Sequence, residues 1–240
     1  MKSSYLLKNL IFSSEHYTNN IPTHLNKLFL NKKEILTTHR AWDLGSHCII
    51  DHLEKSFGEI IFKAEVSRLL VDLNRSLGHK NLYSEFTKTL PKPERLALLD
   101  EYYFPYRESF EKTINEMKNK SKHPIIHIAI HSFTPRWEGV LRNADIGLLY
   151  DPSHSLERDF CLKWKEKINY LFPKYKVRSN YPYHGRSNSF PTELRRKYKN
   201  NYLGIELEIN QAFFSKDGSR LLDKPLANCI IESLQEILIE

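Results

Sequence analysis

Cysteine is scarce in this 240-residue sequence: Cys48, Cys161 and Cys229 stand far apart, and no two share a C-x-x-C spacing. An odd, scattered trio excludes a secreted disulfide framework and a thiolate zinc site, and fits a reducing cytoplasm. Glycine and proline, 8 and 11 residues, never gather into a linker, and no repeat or low-complexity tract is present. Residues 1–240 are therefore expected to form a single domain. Long apolar runs are missing too. The opening MKSSYLLKNLIFSS turns polar too soon for a signal peptide, and no later segment has the length of a spanning helix. The expectation is a soluble cytoplasmic protein with no membrane partner.

Hydrophobic residues at 40% and charged residues at 27% give an ordinary globular balance, with enough chain to bury a large core. The net charge is +7 and the pI about 9.1. Lysines and arginines are spread along the chain, and the densest run, Arg195, Arg196, Lys197 and Lys199, has helical spacing and reads as a solvated helix face. Nucleic-acid binders concentrate such charge on one face or tail. A protein that handles anionic metabolites is the better match, and a nucleic-acid partner is not expected.

Apolar periodicity predicts alternating strands and helices. Strands are expected over 6–14, 59–66, 68–73, 124–133 and 202–209, and helices over 46–57, 93–117, 157–171 and 226–239, with Pro105 breaking or kinking the second helix. This pattern implies an α/β sheet covered on both faces, with ligands gathering beyond the carboxyl ends of its strands.

Polar groups fall at those ends. The first strand runs into Ser14-Glu15-His16, the segment after Arg68 into Asp72-Leu73-Asn74-Arg75, the buried strand into His131-Ser132, and the late strand carries Glu206 and Glu208. Two histidines and a carboxylate suit a zinc ion with one position open for water, and a nearby glutamate can take the water's proton. Each residue also has a plainer reading. A histidine after an apolar strand serves equally as a hydrogen-bonded core residue, an edge strand would expose both glutamates, and Asn74-Arg75 could be a turn. The spacing allows a zinc site without requiring one.

The stretches SSEHYTNNIP, THRAWDLGS, SRLLVDLNRS, YYFPYR, IHSFTPRWEG, RNADIGLLYDP, RSNYPYHGR and YLGIELEINQ, in that order, resemble the N-formylglutamate amidohydrolase family through nearly the whole chain. The resemblance implies a zinc-dependent amide hydrolase with a three-layer α/β/α fold of the zinc-carboxypeptidase type, built on a mixed, mostly parallel sheet. The DLNR stretch and the glycine-to-glutamate strand are also similar to those of aspartoacylase-type deacylases.

By position, the resemblance implies one zinc per chain, with His16 as first ligand and His131 as last. Asn19 stands where carboxypeptidase-like sites place a ligating glutamate. A neutral carboxamide is a poor zinc ligand, so another carboxylate is expected; the resemblance implies Asp43, where relatives repeat an acidic residue, with Glu15 in reserve. Glu208, rather than Glu206, matches the family's general base. Asn74 and Arg75 match the pair that holds a substrate carboxylate, a group that suits a guanidinium fork. Arg68, ranked ahead of Arg142, is expected to polarise the scissile carbonyl or clamp a second carboxylate. The expected substrate is a small anionic N-acyl amino acid such as N-formyl-L-glutamate. Tyr17 and Thr18 replace the family's usual glycine pair, and Ala41 and Leu44 stand where glycine and proline are common, which leaves the acyl specificity open. The competing readings are the same chemistry on another small amide or a peptide-like compound, and a non-catalytic anion- or nucleic-acid-binding descendant.

Overall fold

The computed structural model of the chain describes residues 9–58 and 60–239. Eight strands are present among the described residues: β1 (Leu10–Ser14), β2 (Ile60–Lys63), β3 (Ile125–Phe133), β4 (Arg136–Trp137), β5 (Val140–Leu141), β6 (Ile146–Leu149), β7 (Val177–Ser179) and β8 (Tyr202–Asn210). Six of them form one sheet in the order β2-β1-β3-β8-β6-β7, and β4 and β5 make a separate hairpin. Neighbours in the sheet are parallel except β6, which runs against β8. The sheet is therefore mixed and mostly parallel.

Strict side-chain alternation along the central strands splits the core into two layers. Ile126, Ile128 and Ile130 of β3 join Leu203, Ile205, Leu207 and Ile209 of β8 on one side. That side is covered by helices α1 (Ser46–Phe57), α4 (Ser155–Leu171) and α6 (Lys224–Ile239), which contribute Ile49, Trp164 and Ile230 among others. Between these helices in sequence lie α2 (Lys92–Leu98), α3 (Phe104–Lys120) and α5 (Phe190–Tyr198). Phe110 and Ile114 of α3 and Phe190 and Leu194 of α5 pack with Ile125 and Tyr202 on the opposite face. The result is the expected three-layer α/β/α arrangement. On this second face the strands carry few apolar residues toward their carboxyl ends, and polar groups take their place.

The elements depart from the sequence expectation in instructive ways. β1 covers 10–14, and the expected residues 6–8 lie outside the described part of the chain, as does residue 59. Residues 68–73 are turn and irregular backbone rather than a strand. Their carbonyls are claimed by side chains and loop amides, as when Thr87 Oγ1 donates to Leu70 O at 2.9 Å, so no ladder forms. Pro105 does not break its helix. It sits in the first turn of α3, and a π-helical turn over Leu99–Tyr103 joins α2 to α3, absorbing the missing donor. The short strands β6 and β7 are additions to the expected set.

The basic run on α5 is not uniformly solvated. Arg196, Lys197 and Lys199 are exposed, but Arg195 is buried. Its guanidinium binds buried Glu157 at 2.8 Å, Gly204 O at 2.8 Å and Gly185 O at 3.1 Å. Glu157 in turn accepts from the amides of Gly204 and Asp151. This ion pair has its remaining hydrogen-bonding capacity met by backbone, as a buried pair requires. Among the described residues no helix is long and apolar enough to cross a membrane.

Candidate active site

Because β1, β3 and β8 are parallel neighbours, the segments leaving their carboxyl ends converge. Glu15 and His16 follow β1 directly, His131 lies near the end of β3, and the register sets Glu208 of β8 opposite His131. All of these are buried. Asp43 arrives from the turn before α1, where its amide donates to His16 O at 3.0 Å.

Three donor groups meet there. His16 Nδ1 is 3.4 Å, and His131 Nδ1 2.9 Å, from Asp43 Oδ2. One ligand atom from each of the three residues lies within 4.8 Å of the others, a grouping that could hold a metal ion. The outward nitrogens face carboxylates: His16 Nε2 lies 2.7 Å from Asp72 Oδ1, and His131 Nε2 lies 3.4 Å from Glu15 Oε2. An imidazole that gives its Nε2–H to a carboxylate keeps a lone pair on Nδ1, pointing inward. Arg68 stands beside the trio, 3.2 Å from His16 Nδ1 and 2.8 Å from Asp72 Oδ2.

The charges explain one another. Burial by itself would push His131 down, yet the hydrogen bonds and charges of Asp43 and Glu15 hold it well above the ordinary imidazole value. Burial would likewise raise Glu15 and Asp43. The neighbouring imidazoles outweigh it, taking Glu15 to about 2 and Asp43 lower still. Glu208 differs. Burial pushes its carboxyl up to about 8 against the pull of His131, with Asp43 and Glu206 adding to the rise, and its Oε2 has no hydrogen-bond partner among the described residues. Two inward-facing imidazole nitrogens, one carboxylate and a further unpartnered carboxylate form a donor set that fits a divalent cation.

Asn74 and Arg75 are held by the aromatic-rich start of α3. Arg107, sandwiched between the rings of Tyr103 and Phe190 at 4.4 Å each, donates to Leu73 O and Arg75 O, and Tyr103 donates to Arg75 O. Asn74 Oδ1 accepts from the amide of Phe190 at 2.7 Å, and its Nδ2 lies 3.4 Å from His131 Nε2. The Arg75 guanidinium reaches the carbonyl of Asn188. The YYFPYR stretch thus supports the site, since Tyr106 also donates to Glu15 Oε1 at 3.0 Å.

These groups line an inner cavity of about 230 Å³, bounded by His16, Asn74, Arg75, His131, Glu206 and Glu208, with Asp43, Arg68 and Tyr183 at its edge. The segment over it is firmly anchored. Asn180 Oδ1 accepts from Gly185 N, Thr192 donates to Ser187 O, and a Cβ on Gly185 would fall 2.3 Å from the backbone nitrogen of Tyr150. Gly147 of β6 lies beside Glu208 in register. A Cβ there would meet Tyr181 O at 2.1 Å, so the close passage of strand and loop depends on the glycine.

The structure brings together most of the residues expected from sequence: His16, Asp43, Arg68, Asn74, Arg75, His131 and Glu208. Arg142 is set back, lining neither this cavity nor the larger cleft beyond it, and its guanidinium packs against Trp137 and Tyr183. Asn19 turns away and donates to Leu36 O at 2.7 Å. Tyr17 also points elsewhere, beneath Lys63 and edge-on to His47, so its bulk does not crowd the group of His16, Asp43 and His131. Ala41 and Leu44 are core residues. Asp72 is the residue that sequence reasoning passed over. Its only signal was its place two residues before Asn74 in the same strand-end run.

Convergent imidazoles and carboxylates at the strand ends of a three-layer α/β/α fold suit a hydrolase. A sequence profile described as N-formylglutamate amidohydrolase matches residues 8–215, and the chain belongs to that family. Among solved structures, the fold is similar to a gene product of Agrobacterium tumefaciens, with TM-score 0.78 and 24% identity over 96% of this chain and 88% of that one. It is similar also to the N-formylglutamate amidohydrolase of Ralstonia eutropha, with TM-score 0.64 and 15% identity over 96% and 91%. A succinylglutamate desuccinylase from Chromobacterium violaceum aligns at TM-score 0.50 and 13% identity over 96% and 60%. Among curated proteins none matches the sequence.

Proposed function

We propose that this chain is a zinc-dependent cytoplasmic amidohydrolase that cleaves an N-acylated acidic amino acid, with N-formyl-L-glutamate as the reference substrate and residues 1–240 acting as one catalytic domain. The observation that carries the reading is the meeting of three convergent donors, His16, Asp43 and His131, with an unpartnered buried carboxylate, Glu208, across one strand pair.

Zinc held by His16 Nδ1, His131 Nδ1 and Asp43 would supply a Lewis acid that polarises the scissile carbonyl and brings the pKa of water toward neutrality. Arg75 binds the substrate's carboxylate, and Asn74 keeps the segment that carries it in place. Arg68 neutralises charge that builds on the carbonyl oxygen. Glu208 takes a proton from the attacking water and returns it to the leaving amine nitrogen, so one water is consumed and the acid and the amino acid are released. Glu208 must be ionised to accept that proton, and the positive charge of Arg142 acts in that direction. The family's substrate class and the small polar inner cavity support this assignment.

The test is metal analysis of purified wild-type protein beside His131→Ala, with hydrolysis of N-formyl-L-glutamate followed in parallel. About one zinc per chain, lost in the variant together with turnover, is expected. A metal-free protein that stays metal-free after reconstitution overturns the zinc assignment.

A further inference from the structure

Beyond the inner cavity lies a second, larger cleft of about 460 Å³. The two meet at Asp43, Arg68, Ser132 and Tyr183, so Asp43 stands at the junction, while His16 and His131 line the inner cavity beside it. With Arg75 in the inner cavity holding the amino-acid half, an amide carbonyl at the donors directs its acyl half into the outer cleft. A formyl group, a single carbon, would leave that space empty.

The lining of the outer cleft states what it takes. Trp137 and Tyr183, exposed and both packed against Arg142, provide an aromatic wall suited to a methylene chain, and Tyr83 also lines the cleft. Its acids are already engaged: Asp43 and Asp72 with the imidazoles and Arg68, and Glu85 with Arg40 at 2.5 Å. Lys80 and Lys88, at the rim, have no carboxylate partner among the described residues. The cleft thus combines an apolar wall with two uncompensated ammonium groups.

We infer that the outer cleft is an acyl-chain subsite, and that the acyl group it takes is several carbons long and ends in an anion. The inference rests on the proposed amidohydrolase reading and adds the acyl half of the substrate to it. Lys80 and Lys88 attract the terminal anion, Trp137 and Tyr183 cover the chain, and Arg75 secures the other end. A substrate with a carboxylate at each end spans both cavities.

The experiment is calorimetric binding to zinc-loaded Glu208→Gln protein, which holds the substrate without turning it over. The probes are N-formyl-, N-pentanoyl- and N-glutaryl-L-glutamate. N-glutaryl-L-glutamate is expected to bind at least about tenfold more tightly than the formyl compound, with the uncharged pentanoyl compound between them. Lys80→Ala combined with Lys88→Ala should remove the advantage of glutaryl over pentanoyl and leave formyl binding unchanged. If the formyl compound binds and the glutaryl compound binds no better, the subsite is overturned and the amidohydrolase reading stands. If pentanoyl equals glutaryl, the anionic terminus is overturned. Binding of none of the three overturns both readings.

Discussion

His131 and Glu208 face each other across the β3–β8 pair, partners in a parallel register that sets both side chains on the same face of the sheet. A donor to a cation and the carboxylate that would work beside it are thereby fixed by backbone ladder bonds rather than by loops. Rigid placement of this kind keeps the reacting geometry within a narrow range. Glu208→Gln preserves shape and removes the base. Turnover of N-formyl-L-glutamate is expected to fall by about 10²–10⁴-fold while zinc content stays unchanged. Undiminished activity in that variant would assign the base elsewhere.

Arg75 is predicted to act through binding. Arg75→Ala should lower kcat/KM for carboxylate-bearing substrates by about 10–100-fold, chiefly through KM, as expected for loss of a charge-assisted hydrogen bond. A substrate analogue with that carboxylate esterified should be affected far less. Equal loss on both compounds would show that Arg75 serves the fold and not the ligand.

Asp72 grips His16 Nε2 from behind, at 2.7 Å. Replacing it with asparagine should weaken zinc affinity by about 10–100-fold, the usual effect of losing a carboxylate that orients a ligating imidazole. Competition with a chelator measures this directly. Because Asp72 also pairs with Arg68 at 2.8 Å, thermal unfolding of the metal-free variant separates the loss of metal affinity from a loss of folding.

His127 lies deeper on the same face, between Ser13 at 2.6 Å and the hydroxyl of Tyr202. Burial pushes its pKa down to about 4, whereas an unfolded-chain histidine titrates near 6.5. The fold therefore accommodates the neutral ring. Its contribution is full above about pH 6.5 and is lost as pH falls towards 4, because the unfolded chain then binds a proton that the native one does not. The stability gap between wild type and His127→Gln should narrow on going from about pH 7.5 to about pH 4.5. A gap that widens on acidification would contradict the neutral assignment.

Long or strongly patterned elements were legible in the sequence, as were residues whose chemistry advertises itself. The nine-residue strands β3 and β8 are buried throughout; β3 reads as a largely apolar run and β8 as a regular alternation of apolar and other residues, and the α6 stripe of Ile230, Leu234 and Ile237 is visible from periodicity. By contrast, β6 and β7 have four and three residues, too few to set a period, and their placement depends on pairing with a distant strand. Residues 68–73 misled because their apolar side chains are buried from a turn, not from a ladder. His16, Asp43, His131 and Glu208 could be named from the resemblance. Asp72 and Arg107 could not, since an orienting carboxylate or a backbone-clamping guanidinium is distinguished from any other charge only by what it touches.

The dispersal of the site along the chain has a kinetic consequence. His16, Asp43 and Asp72 belong to the first third, His131 to the middle and Glu208 to the last strand of the sheet. Joining β3 to β8 closes a long loop before any contact across it offsets the lost chain entropy, and such non-local pairings form slowly. During synthesis, no nascent chain that ends before β8 holds both the proposed cation donors and the proposed base. Hydrolysis then becomes a reporter of completed folding, and recovery of activity after dilution from denaturant tracks the zipping of that one strand pair.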